Sequence, residues 1–521
     1  MLAGTSTITS VAAVAVAAAA ACVLPGGAQA QPTLVDPNLR VDAFVTGLSQ
    51  PTGIAFASAI DAFVIEKATG RVRRVVNGVL SPTPALDLPV NSASERGLLG
   101  IALHPRFPAT PFVYLFWTES NTGADSTVVS EVPLLGNRVD RFAWNAGTQT
   151  LSFDRGLLRL RARQTDRNNP ANPTLVTEQG NHGGGPLRFG ADGKLHVQFG
   201  DVGRRGWMQN LPNGPFLPPT VDDDFGGPQP DNAHLSGVIL RINDDGSVPP
   251  DNPFFATGAA TGGEVGANLQ LVYSYGHRNG FGLAVDPSTG LLWASENGDD
   301  SFDEINRIVP GGNYGWVGTM GPIARVAQFR QIEISLFNPA TASLGTIQQL
   351  RYPPTRIAYA PSLARSRMFM LPGATYQDPQ LSWRYGMPPA GLGFVVGTGL
   401  GAAYSGTLWS GAARTTDVTG GSTGTFGGGF LMMFRLTPDR LGLDLSADPR
   451  LADRVADNGS YPPPFGTPAN TPGYKFDGRE SESLLVGRGF GVATDIQTGP
   501  DGNLYVVSST NGVVYRISRA R

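Results

Sequence analysis

The chain has 521 residues, enough for a large core, and its 39 Lys plus Arg against 42 Asp plus Glu leave a formal charge of −3. That balance advertises neither nucleic acid nor an anionic membrane as a partner. Charged residues are only 16% while Gly (68) and Pro (42) abound, so many turns and few long helices are expected. The single cysteine, Cys22, lies in an N-terminal apolar run, so the mature chain is expected to make no disulfide and no Cys-based metal or redox site.

In chain order, residues 11–23 (VAAVAVAAAAACV) form a small-apolar run, broken at Pro25-Gly26-Gly27 and followed by Ala28-Gln29-Ala30. The pattern predicts a secretory signal peptide over 1–30, cut after Ala30, and a periplasmic or secreted domain over 31–521. The segment before the run carries no Lys or Arg, which departs from the usual signal, and a lipoprotein acylated at Cys22 is the weaker alternative. The run is too short for a comfortable membrane span.

From about residue 40 one local pattern returns six times: an alternating run, a second run and then a third, separated by turns. The first runs begin near Gly53, Gly100, Gly185, Gly282, Gly391 and Thr494, and Asp192-Gly193 and Asp501-Gly502 mark hairpin turns. A lone unit of this kind cannot bury both faces, whereas stacking units about an axis does so and shields the sheet edges. The expectation is an all-β six-bladed β-propeller of four-stranded antiparallel blades. Long loops (154–181, 204–232, 318–382 and 412–428) would decorate one face, with 420–429 (GGSTGTFGGG) as a low-complexity stretch.

Polar chemistry gathers on the connections. His182 lies in a glycine-rich approach to a strand (GNHGGG), where an imidazole can act as a general base near neutral pH. Asp201 ends the next strand and is placed to orient that imidazole, or simply to cap a turn. Arg278 and Asn279 occupy the corresponding entry of the fourth unit, where a guanidinium can hold a carboxylate or an oxyanion, or form a structural ion pair. Glu296–Glu304 packs five carboxylates into nine residues, which suits Ca²⁺ or a solvated acidic loop. His104 and His196 read as structural.

These segments resemble, as a set, the soluble pyrroloquinoline-quinone (PQQ) dependent glucose and aldose-sugar dehydrogenases. The resemblance rests on RGLLGIALHP at 96–105, on His182 ahead of Phe189-Gly190, and on Phe199-Gly200-Asp201. It continues through YGHRN at 275–279, DEIN at 303–306, GNYGW at 312–316, Tyr376–Pro379 with Ser382-Trp383, and GPDGNLYV at 499–506. It implies a six-bladed quinoprotein that oxidises the C1 hydroxyl of aldoses to lactones. His182 would be the base, Asp201 its partner, and Arg278 and Asn279 cofactor contacts. The backbone at Gly298 and Asp299 would hold a Ca²⁺ that bridges to PQQ. Glu95 and Trp383 would meet the sugar, Trp383 by stacking at the mouth.

Departures from the family pattern accompany these matches. Phe281 stands where the family has Gln, and Asp299 replaces a Pro and adds a negative charge. The family's basic cofactor contacts fall on Ala413, Val492 and Thr494, with Arg414 and Arg488 close by in sequence as replacements. Expected partners are therefore a small-molecule sugar and an external electron acceptor, with neither nucleic acid nor an integral membrane span; a homodimer is compatible. The competing readings are a non-catalytic secreted propeller that binds carbohydrate or protein after losing PQQ, and a Ca²⁺-dependent hydrolase on the same fold.

Overall fold

Six successive hydrogen-bonded sheets take up the six sequence units in the computed structural model. It describes residues 31–163, 180–203, 235–336, 354–415, 428–457, 478 and 480–520. The predicted signal segment, His234 and residues 420–427 lie outside these.

Each unit opens with a strand near the axis: Pro51–Ser58, Leu98–Leu103, Leu187–Phe189, Gly280–Val285, Pro389–Phe394 and Ala493–Thr498. These six strands touch in sequence, and the last meets the first, so the ring is closed. The chain is an all-β propeller with mainly antiparallel sheets, and its short helices lie in connections. The recurring glycines in the opening runs have a packing reason. A Cβ on Gly100 would lie 1.9 Å from the Gly185 carbonyl oxygen, and one on Gly282 would lie 2.4 Å from that of Ala390. Neighbouring inner strands approach so closely that only hydrogen fits.

The second strands are sandwiched between adjacent sheets. Leu195–Phe199, Leu292–Glu296, Leu408–Ala412 and Leu504–Ser508 are buried at every residue, their polar members such as His196, Gln198, Ser295 and Glu296 included. Each fully buried Leu, Val or Phe there contributes about 1.5–3 kcal/mol. The last sheet is completed from the other end of the chain: Leu39–Val45 pairs antiparallel with Val513–Arg519. That long-range pairing fastens the ring without a disulfide.

The expectation of uniform four-stranded antiparallel units is corrected. The sheets hold four to six strands, and short parallel additions flank two of them: Tyr275 with Asn313, and Ser382-Trp383 with Val455-Ala456. These additions come from the long connections and cover outer edges. Two expected loops are also partly regular. Thr150–Leu160 is a strand, and the 318–382 insertion contains helices Val326–Leu336 and Pro361–Arg367. Among the described residues no helix is long and apolar enough to cross a membrane.

Candidate functional site

A cavity of about 780 Å³ opens at the end of the ring where the inner strands begin. All six inner strands, or the residues just before them, contribute to its wall. His182, Glu95, Arg278, Asn279, Gly298, Asp299 and Arg414 all line it.

His182 is held from several sides. Its backbone is left-handed (φ 63°), and its N–H donates to Glu95 Oε2 at 2.7 Å. The glycines that follow are required: Gly184 has φ 73°, and a Cβ there would meet the Gln198 carbonyl oxygen at 2.2 Å. The ring Nδ1 lies 2.6 Å from Asp201 Oδ1, and Asp201 is fully buried. Asp201 Oδ2 accepts from Trp316 Nε1 at 2.7 Å, and Oδ1 accepts from the Gly203 N–H at 2.8 Å. Burial pushes the Asp201 carboxyl up. The charge and hydrogen bond of His182, then Arg278 and Trp316, outweigh it and hold the group below the usual range. A carboxylate that stays ionised against Nδ1 favours the tautomer with Nδ1–H, so Nε2 carries the lone pair.

Arg278 stands beside this relay. It is buried, its guanidinium lies 5.4 Å from the Trp316 ring centroid, and Nη2 meets Asp299 Oδ1 at 2.9 Å. Nη1 donates to the Asn297 carbonyl oxygen at 2.9 Å. Burial works against its charge, and Asp299, Asp201, Glu333 and Glu95 more than restore it. Behind it, Glu296 accepts from the Arg278 backbone N–H and from His277 Nδ1 (3.1 Å), while His277 stacks on Tyr314. Asn279 Nδ2 reaches Glu95 Oε2 at 3.5 Å, and its buried Oδ1 has no donor among the described residues.

The acidic stretch 296–304 is neither a single cluster nor a solvated loop. Glu296 and Glu304 face each other across adjacent strands and are buried. Glu304 is pushed well above the usual range by burial and then by Glu296. Asp303 accepts from the Gly298 N–H at 2.7 Å. Only Asp299 and Asp300 join a potential ligand group, and its third member is Glu333 from helix Val326–Leu336, with carboxylate oxygens within 4.8 Å of one another.

Two of the expected site residues lie away from this wall. Trp383 is fully buried within strand Leu381–Trp383, packed near Phe434, because its position in the register points it into the core between sheets; it does not line the cavity. Arg488 pairs in the sheet with Thr33 at an exposed outer strand and is likewise absent from the wall. Closeness in sequence did not bring it to the axis. Ala413, Val492 and Thr494 do line the cavity, as does Phe281. Sequence reasoning missed Trp316 as a partner of Asp201, and it missed Glu333, Lys67 and Arg188. Lys67 and Arg188 are basic lining residues, and Arg188 is paired with Asp495 at 2.6 Å. His104 and His196 lie outside the wall, as expected; His196 is buried against Tyr273 and its pKa is pushed down to about 4 by burial.

A family model described as glucose/sorbosone dehydrogenase matches residues 48–322. The chain belongs to this family. Quinoprotein glucose dehydrogenase B of Acinetobacter calcoaceticus is 31% identical over 288 residues, 54% of this chain and 53% of that protein. Aldose sugar dehydrogenase YliI of Escherichia coli (strain K12) is 27% identical over 280 residues, 54% of this chain and 62% of its own length. The matches thus span little more than half of these relatives. The PQQ-bound aldose sugar dehydrogenase of Streptomyces coelicolor superposes with a TM-score of 0.52 at 20% identity, covering 92% or more of both chains (94% and 99%). The apo E. coli enzyme superposes with a TM-score of 0.54 at 20% identity, over 92% of this chain and all of that one (100%). Both likenesses bear on the fold.

Proposed function

We propose that this protein is a PQQ- and Ca²⁺-dependent dehydrogenase that oxidises the C1 hydroxyl of aldoses to lactones. The frame is read as six-bladed, one blade per sheet, because six inner strands complete the ring. The observation that carries the reading is the buried His182–Asp201–Trp316 relay opening onto a cavity whose wall includes Lys67, Arg188, Arg278 and Arg414.

The residues present fit the cofactor. PQQ is a planar tricarboxylate; a cavity of about 780 Å³ suits it in size, and Lys67, Arg188, Arg278 and Arg414 are the wall cations available to its carboxylates, beside Glu95, Asp299, Asp300, Asp303 and Asp495. Asn279 Oδ1, buried and without a donor among the described residues, is placed for a ligand N–H or O–H. When bound, the quinone supplies a two-electron acceptor for hydride. The protein's own part is proton handling and orientation. His182 Nε2 takes the proton of the substrate hydroxyl, and ionised Asp201 stabilises the imidazolium that results. Trp316 and the Gly203 N–H keep Asp201 fixed. Arg278 and Asn279 orient the reacting pair, and Glu95 faces the sugar. Ca²⁺ would be held by the backbone of Gly298 and Asp299 and by the carboxylates of Asp299, Asp300 and Glu333, hard oxygen donors suited to that ion. Export by cleavage after Ala30, with an external electron acceptor, completes the proposal.

The test is to add PQQ and CaCl₂ to purified apo-protein and follow dye reduction with several aldoses. Saturable, sugar-dependent reduction supports the reading. Absence of any spectral change on adding PQQ refutes it.

A further inference from the structure

We propose that Lys67 binds a carboxylate of the quinone cofactor, from the first sheet's share of the cavity wall; the inference rests on the function proposed above. Its basis is a position rather than a motif. In four sheets the residue directly after the second strand lines the cavity: Lys67, Asn297, Ala413 and Ser509. The frame therefore aims one side chain per sheet at the ligand space from equivalent places, and of these four only Lys67 is charged.

The surroundings say what Lys67 can meet. Ser92, Glu95 and Gly97, from the connection into the second sheet, stand around it, and the last sheet's carboxylate in the wall is Asp495. Asp495 is already engaged, by Arg188 at 2.6 Å and by the Ile54 N–H at 3.0 Å. Lys67 Nζ donates to the Ser92 carbonyl oxygen at 3.0 Å and makes no ion pair with the described residues. An ammonium has three N–H donors, so two remain for a ligand. Burial lowers its pKa to about 8, a larger effect than the charge of Glu95, which acts to raise it. A partly desolvated cation without a counter-ion is costly until an anion arrives. Arg188 and Arg278 differ, since each already faces a carboxylate of the chain, at 2.6 and 2.9 Å. Aldoses are neutral and need no such cation, whereas PQQ brings three carboxylates. Elsewhere in the same wall Val492 and Thr494 offer no charge, so the ligand's carboxylates have few cations to choose from.

The experiment titrates Ca²⁺-loaded apo-protein with PQQ, read by quenching of intrinsic tryptophan fluorescence, in wild type, Lys67→Met and Lys67→Arg. Lys67→Met is expected to raise Kd about tenfold or more, as loss of a charge-assisted hydrogen bond does, and Lys67→Arg to stay within about threefold. A Kd for folded Lys67→Met within about twofold of wild type overturns the assignment while leaving the proposed function standing. Failure of the wild type to bind PQQ overturns both. Should Lys67→Met not fold, acetylation of the wild-type lysines, mapped by mass spectrometry, decides. PQQ is expected to shield Lys67 where sulfate at equal concentration does not, and equal labelling with and without PQQ overturns the proposal.

Discussion

The two halves of the cavity wall are built differently. On the side of the third and fourth sheets, His182, Asp201, Trp316, Arg278, Asp299, Glu296 and His277 form one hydrogen-bonded body, most of it buried. On the side of the fifth, sixth and first sheets the wall is mainly small or neutral (Thr52, Gly53, Pro388, Ala390, Ala413, Val492, Thr494), with Lys67, Arg414 and Asp495 as its charges, Asp495 being paired with Arg188 of the third sheet. A network in which every member fixes another is suited to chemistry, because reacting groups must be held to fractions of an ångström. A wall with few fixed partners is suited to accepting a ligand's own charges.

The largest expected effect breaks the first half at its centre. His182→Ala should lower turnover about 10²–10⁴-fold while PQQ affinity changes little, measured by dye reduction alongside a PQQ titration. Retained turnover would remove His182 as the base and, with it, the contrast between the two halves.

Asp201→Asn comes next. It keeps the shape of the side chain and removes the charge that stabilises the imidazolium, so kcat should drop about 10²-fold with KM nearly constant. It also has a signature in stability. The Asp201 carboxyl is held below its usual range in the fold. Its contribution is therefore present above the ordinary carboxylate pKa of about 4 and is lost as pH falls through the lower folded value. The Tm gap between wild type and Asp201→Asn should be widest near neutral pH and close in acid. A gap that widens in acid would reverse the assigned direction.

A third test sits where the halves meet a metal. Addition of Ca²⁺ should raise Tm, as any ligand of the native state does, and Glu333→Gln should shrink that rise. An equal rise in both would remove Glu333 from the ligand group.

How much of this was legible beforehand follows the same division. The catalytic half could be named from the sequence because its residues sit in short motifs whose members stay together: GNHGGG, FGD and YGHRN. The propeller was legible because the units repeat with glycine at the start of nearly every opening run, and packing across the ring demands that glycine. Partnerships that cross the fold left no local trace. Trp316 is 115 residues from Asp201, and Glu333 arrives on a helix inside what reads as a loop. Trp383 and Arg488 were misplaced for the opposite reason. Each is near a cavity residue in sequence, but register and an outer strand set them elsewhere. A signal for Lys67 did exist. It follows its strand as Asn297 follows the equivalent one in the fourth unit, and aligning the units to each other would have exposed it.

Trp383 then offers the smallest effect, and its value lies in that smallness. The side chain is fully buried, and its indole Nε1 has no partner among the described residues, so Trp383→Phe removes apolar area and that N–H together. The two changes oppose each other, and the net loss of stability should be about 1 kcal/mol by denaturant unfolding. Sugar KM and kcat should stay within about twofold, since the ring meets the core between sheets and not the ligand space. Glu95→Gln, in contrast, alters a side chain in the wall that also accepts the His182 backbone N–H, and it should raise KM. If Trp383→Phe were instead to weaken sugar binding selectively, the cavity would have to extend outward past strand Leu381–Trp383, and the boundary between a rigid catalytic half and a receptive half would have to be redrawn around it.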